Sequence, residues 1–198
     1  MIDEPLSIRL PPRPRLDRPT IIRAALELLN EGGLDGLTTR RLAGRLSVQS
    51  PTLYWHVKNK RELLDLMASA ILFRPPPGGF DFARPWWEWS ADLARVIRLN
   101  LLEYRDGGRV VAGTGPNPAL GPNGMPELFD RFARQGLERS DAGHVIASLS
   151  RFALGWTIDE QAARSRAPDG QPDVDFDGEF EFGLQALIEG LRLRLARP

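Results

Sequence analysis

The sequence predicts an all-α protein: a three-helix N-terminal head built around a helix-turn-helix, joined by a linking helix to a larger helical body. Three observations carry this. Apolar residues recur at three- and four-residue spacing through most of the chain, and no stretch alternates with a period of two. Residues 38–60, TTRRLAGRLSVQSPTLYWHVKNK, read as two short helices joined by a tight turn. Proline- and glycine-rich clusters at 75–79 and 107–125 punctuate the longer helical runs.

Taken in order, residues 1–16 (MIDEPLSIRLPPRPRL) are rich in proline and arginine and too poor in apolar residues to fold alone. They form either a floppy terminus or a basic arm that touches phosphate or a minor groove. Asp17 caps a first helix with Pro19 in its first turn; Ile22, Ala25, Leu26 and Leu29 give its inward face, and Gly32-Gly33 end it. Thr38 caps a second helix, in which Leu42, Ala43 and Leu46 form an apolar face. Ser47-Val48-Gln49 makes the turn. Ser50 caps the third helix, and Pro51 takes its first position, where a missing N–H costs nothing. Asn59 opens a fourth helix with Glu62 as its capping-box partner, running to about Phe73.

Pro75 to Gly79 stops that helix. Pro85 starts a fifth, with Trp86, Trp87, Trp89, Leu93, Val96, Ile97, Leu99 and Leu102 on more than one face, hence largely buried. Residues 107–125 read as loop with a turn or two of helix, and Pro126 to Gln135 as a short helix. Ser140 or Asp141 caps a long helix to about Arg166, residues 167–178 form another loop, and a last helix spans about Glu179 to Ala196. The chain thus divides into the arm at 1–16, a head at 17–62 with its linking helix to 73, and a body at 80–198.

Composition narrows the function. The 198 residues contain no cysteine, which excludes a disulfide framework and thiolate metal sites. No basic start followed by a long apolar core marks a signal peptide. The longest nearly apolar run, Val145 to Ile158, is too short and too polar to span a bilayer, so a cytoplasmic protein with no membrane partner is expected. Net charge is zero but unevenly spread: residues 1–74 hold 12 Lys and Arg against 8 Asp and Glu, and residues 75–198 hold 14 against 18. A basic head on an acidic body suits a protein that meets phosphate at one end.

The third helix is the informative one. Leu53 and Val57 point inward, leaving Gln49, Ser50, Thr52, Tyr54 and His56 facing out, with basic residues on both sides. Exposed aromatics and hydroxyls, where a buried helix would carry leucines, suit a helix laid in the major groove of DNA. Arg40, near the start of the second helix, can reach a phosphate or fork onto guanine O6 and N7, with Thr39 beside it. Gln49 and Ser50 enter the groove first. Pro51 and Thr52 can touch a thymine methyl, Tyr54, Trp55 and His56 fall on backbone or neighbouring bases, and Lys60 on phosphate. The burial habits of tryptophan favour a half-buried Trp55 over a base reader. His56 makes no metal site, because only His144 could join it.

At these residues the chain resembles the TetR family of bacterial repressors, and within it the tetracycline-repressor branch. The likeness lies in LDGLTT, TTRRLA and PTLYWHVKNK and is dense from about Asp17 to Leu72. It continues more loosely through YRDGGRVVAGTGP, RFALGWTIDEQ and FEFGLQALIEGLRLRL. The resemblance implies DNA contact at the positions just named. Thr39, Arg40, Pro51, Thr52, Tyr54, Trp55, His56 and Lys60 are identical to that branch. Gln49 and Ser50 depart from it, which implies a different operator sequence.

It also implies an effector pocket in the body. Where that branch binds a drug–magnesium chelate with polar groups, this chain has Val111 at the histidine place, Gly115 at the arginine place, and Leu93 and Ile97 at the asparagine and phenylalanine places. Asp159 stands at the acidic place. One carboxylate is a poor magnesium site, so no metal or other cofactor is expected. The expected lining is apolar (Leu93, Ile97, Val111, and Trp86 or Trp89) with Thr114 and Asp159 as polar handles, suiting a small hydrophobic or aromatic ligand. The other reading is that these side chains only pack a core.

A homodimer is expected through the two late helices. Val145, Leu149, Phe152 and Trp156 lie on one stripe, and Phe180, Leu184, Leu187 and Leu191 on another. In the family these helices pair with their copies; the alternative is that both stripes are core of a single chain. The function implied is a homodimeric repressor released from a palindromic operator by a small molecule, with a ligand-independent regulator or an activator as alternatives. An enzyme is disfavoured: no Ser/His/acid set, nucleotide loop or metal cluster is visible, and only carboxylate chemistry stays open.

Overall fold

A computed structural model of the chain describes residues 16–114, 124–167 and 173–196. The arm up to residue 15, Gly115 and the loop residues around it, and residues 168–172 lie outside the described residues. Among the described residues, all regular structure is helical: α1 (Arg18–Gly36), α2 (Thr39–Arg45), α3 (Ser50–Tyr54), α4 (Lys60–Leu72), α5 (Trp86–Leu102), α6 (Gly107–Ala112), α7 (Gly124–Arg134), α8 (Arg139–Arg166) and α9 (Phe176–Leu195).

The head forms as its caps predict. The Asp17 carboxylate accepts from the Thr20 N–H at 2.9 Å, and the Thr38 hydroxyl accepts from the Arg41 N–H at 3.2 Å. Helix α1 does not stop at Gly32-Gly33. It kinks at Gly33 (φ 67°, ψ −177°) and resumes to Gly36. The Asp106 carboxylate explains the break: it accepts from the Leu34 N–H at 2.9 Å, and a Cβ on Gly33 would lie 2.7 Å from the same oxygen. The head core is Ile21, Ala25, Leu29, Leu37, Leu42, Leu53, Leu63 and Met67, all at most 4% exposed.

The turn between α2 and α3 is a Schellman motif. The Val48 N–H donates to the Ala43 carbonyl at 3.0 Å and the Ser47 N–H to the Gly44 carbonyl at 3.1 Å. Ser47 occupies the left-handed position that glycine favours, with φ 54°. Ser47→Gly should therefore stabilise the head by about 1 kcal/mol, the cost of holding a side chain in that region. Urea denaturation measures it, and an unchanged midpoint would refute it. Ser50 does not cap α3. Gln49 holds the cap position without a side-chain bond, because the helix starts at Ser50 and Pro51 falls one place further in. At α4 the Asn59 carboxamide caps the Glu62 N–H at 2.8 Å, while Glu62 accepts from the Lys58 N–H at 2.6 Å rather than from Asn59.

In the body, α5 packs mainly on α8, and α4 leans on α6 and α5. Gly107 allows the α5–α6 turn, since a Cβ there would meet the Leu101 carbonyl at 2.3 Å. Three helices begin earlier than expected, the first of them α7, which starts at Gly124 rather than Pro126. Helix α8 starts after Glu138, and α9 starts at Phe176 because the Asp175 carboxylate caps the Gly178 N–H at 2.9 Å. Trp86 and Trp89 pack on Phe132, with centroids 6.1 and 4.4 Å away.

A buried ion cluster pins three body helices together. Arg98 of α5 donates to Glu160 of α8 at 2.8 and 3.1 Å and pairs with Asp177 of α9 at 2.7 Å. Glu160 is fully buried and also accepts from Arg164 at 2.7 and 3.1 Å. Burial works against the charge on Arg98, and the Asp177 and Glu160 carboxylates more than offset it, raising its pKa.

Candidate nucleic-acid interface

Helix α3 is anchored by two side chains, Leu53 (4% exposed) and Val57 (6%). The rest of the turn and helix faces out: Gln49, Pro51, Thr52, Tyr54 and Trp55 are exposed, and Ser50 and His56 half-buried. Thr39 is half-buried and borders one small cleft with Tyr54 and Asn59. The expectation for Trp55 was wrong. It is 87% exposed, because it follows the last turn of a five-residue helix and no other element reaches it.

The charges around α3 are sorted. Arg45 donates to both Glu31 oxygens at 2.6 and 2.7 Å, and Arg41 donates to the Gly36 carbonyl at 2.8 Å. The Arg45 hydrogen bond, followed by the charges of Arg45 and Arg41, holds Glu31 below the usual carboxylate range. Arg18 is spent on Glu62 at 3.3 Å and on the His56 carbonyl at 3.1 Å. Arg40, Lys58 and Lys60 are exposed, and none has an acidic partner among the described residues. The head thus pairs Arg18, Arg41 and Arg45 internally and leaves three cations flanking α3. Lys58 adds to the cations expected from the sequence, where its place beside Lys60 is the available signal.

Residues 21–67 match the family described as "Bacterial regulatory proteins, tetR family", and residues 83–174 match "Tetracyclin repressor-like, C-terminal domain". The tetracycline repressor protein class D of Escherichia coli is 40% identical over 206 residues, covering 91% of each chain. The chain belongs to the TetR family. It is a DNA-binding transcriptional regulator. Among solved structures, a TetR variant from Acinetobacter baumannii AYE in complex with minocycline superposes with a TM-score of 0.77 at 38% identity, covering 93% of this chain and 100% of that one. BioQ with its natural double-stranded DNA operator gives a TM-score of 0.66 at 31% identity, covering 89% and 98%.

Like those relatives, this TetR-family chain joins its head to a helical body, where the expected pocket residues divide. Trp86, Trp89, Ile97 and Val111 are buried, Leu93 and Thr114 are half-buried, and Asp159 is exposed in the single chain. The Thr114 hydroxyl already donates to the Val111 carbonyl at 3.1 Å. Two polar atoms escaped the sequence reading: Trp89 Nε1 and Ser90 Oγ are buried and have no hydrogen-bond partner among the described residues. Indole and serine are common in helices, so no sequence signal marks them.

The expected dimer stripes divide in the same way. Val145, Leu149 and Leu184 (each 0% exposed) and Phe180 (2%) are core of the single chain, sealed by the α5–α8–α9 packing, and offer nothing to a partner. Phe152, Trp156, Leu187 and Leu191 are half-buried. Phe182 and Leu193 on α9 are each 80% exposed; they lie eleven residues apart, three turns on one face. In the sequence the more continuous leucine stripe of α9 hides them. Among the described residues, no helix is long and apolar enough to cross a membrane.

Proposed function

We propose that the chain acts as a homodimeric repressor whose α3 lies in the major groove and whose body responds to an apolar effector. The observation that carries the DNA reading is the outward face of α3, hydroxyl and aromatic, flanked by Arg40, Lys58 and Lys60 while the other cations nearby are paired within the head. Thr39, Arg40, Gln49, Ser50, Pro51, Thr52, Tyr54, Trp55, His56 and Lys60 form the reading surface. Trp55 takes a direct part, since its exposure leaves the indole available to sugar or base. Arg40→Ala, if the guanidinium forks onto guanine, costs about 1–3 kcal/mol of operator affinity and relaxes specificity at that base. Tyr54→Ala weakens binding with helicity and dimer size unchanged. Fluorescence anisotropy with operator DNA checks both; unchanged affinity in the two variants would sink the assignment.

The dimer forms through the outward faces of α8 and α9. Phe182, Ala186 and Leu193 supply the apolar part on α9, and the half-buried Trp156, Phe152, Leu187 and Leu191 border it. The protein works where the chromosome is, in the cytoplasm, and carries no enzymatic activity. Release follows if the effector binds the two head positions with different affinity. Two recognition helices must sit about 34–36 Å apart to occupy successive grooves, and a small tilt of α4 spoils that spacing.

The effector enters among Trp86, Trp89, Leu93, Ile97 and Val111, with Thr114 and Asp159 at the edge. Trp89 Nε1, an orphaned donor, gives it one hydrogen bond to satisfy. Magnesium–tetracycline does not fit this residue set. Val111, Ile97 and Leu93 offer no partner to the drug's polar edge, and the Thr114 hydroxyl is engaged. Each unpaired group costs about 1–3 kcal/mol, so two or three lower affinity by several orders of magnitude. Tetracycline with magnesium is therefore expected not to release the protein from its operator at micromolar drug. Calorimetry with and without EDTA tests this; a tight isotherm that vanishes on chelation would overturn it.

A further inference from the structure

A cavity of about 420 Å³ opens at the joint between head and body, away from both the α3 face and the aromatic cluster of α5. Its walls come from α1 (Pro19, Ile22, Leu26), from Ala70 of α4, and from Tyr104 just after α5. Its volume lies within the range of small-molecule sites. Two of its polar residues are already committed. Asn30 accepts from the Arg105 N–H at 2.8 Å, and Glu27 pairs with Arg45 at 3.4 Å. Arg23 also lines it, is exposed, and has no acidic partner among the described residues. An apolar wall with one uncommitted guanidinium is complementary to an aromatic ring carrying an anion. Tyr104 contributes its ring, because its hydroxyl already bonds the Glu103 carboxylate; burial and that neighbouring charge raise its pKa.

We propose that this cavity is a second ligand site, for a small aromatic carboxylate whose ring lies against Ile22, Leu26 and Ala70 and whose anion meets Arg23. Its walls belong to both head and body. Next to it the Leu34 N–H and Asn30 join α1 to Asp106, Glu103 and Arg105. A ligand there braces the head against the body in the arrangement described here.

The probes are 1-naphthaleneacetate and its neutral amide, titrated calorimetrically into the full chain, Ala70→Phe and Arg23→Gln. Ala70 is exposed on α4, so phenylalanine fills the cavity without crowding the core; thermal melting verifies that both variants fold. The expected result is saturable binding of the acetate to the unaltered chain and about a tenfold loss in Ala70→Phe for both probes. Arg23→Gln should lose about tenfold for the acetate alone. No binding to the unaltered chain, or equal affinity in Ala70→Phe, overturns the site. Equal losses of acetate and amide in Arg23→Gln overturn the anion preference. If deleting residues 1–15 raises acetate affinity about tenfold, the cavity's occupant is the chain's own N-terminal segment, and the proposal falls.

Discussion

Phe182→Asp should turn the protein into a monomer and lower its operator affinity by about 10²–10⁴-fold. Phe182 is 80% exposed on the outward face of α9, so the substitution leaves the single-chain core untouched. Placed in an apolar interface, however, it sets a carboxylate opposite its own copy, where neither charge is paired or hydrated. Two half-sites held by one dimer gain from effective concentration, and a monomer loses that gain without losing any contact of α3. Leu193→Asp should act alike. The contrasting control is Leu184→Asp, which buries a charge in the single chain at a fully buried position and should unfold it rather than split it. Sedimentation velocity at micromolar protein separates the outcomes. A dimeric Phe182→Asp variant would move the interface elsewhere.

Glu160→Ala should cost about 3 kcal/mol of folding stability, the lower end of what removing one partner of a buried pair does. The loss leaves Arg98 buried at 6% exposure against Phe180, over whose ring its guanidinium sits at 4.8 Å. Asp177 still reaches Arg98 but is 87% exposed, so solvent screens most of what it gives back. Arg164 is half-exposed and turns to water at little cost. Replacing the pair together, Arg98→Met with Glu160→Leu, should recover most of the loss, because no orphaned charge remains. Urea denaturation of the three chains decides; a single variant as stable as the parent would show that the cluster is not desolvated.

The head was almost wholly legible in the sequence because local chemistry determines it. Asp17, Thr38 and Asn59 cap their helices through bonds to residues three places away, and a pattern of spacings records such bonds. What the sequence could not give depends on distant partners. The kink at Gly33 answers to Asp106, which is 72 or more residues away, so the glycine pair read as a helix end. The burial habits of tryptophan predict a half-buried Trp55, while the shortness of α3 leaves it uncovered. In the body, the period of an apolar stripe cannot say whether the other side is the same chain or a copy. Val145, Leu149, Phe180 and Leu184 went to the single chain. Arg98 and Glu160, 62 residues apart, gave no signal at all.

The most direct test of the central claim is a salt-dependent titration of the purified dimer onto DNA from the region upstream of its own gene. The expected result is a specific complex at nanomolar protein, with log K falling linearly in log salt by about 0.9 for each phosphate neutralised. Lys60→Ala and Lys58→Ala should each reduce that slope by about one. Binding that matches random DNA at every salt concentration, or a slope indifferent to both lysines, would contradict the assignment of α3 and its flanking cations as the reading surface.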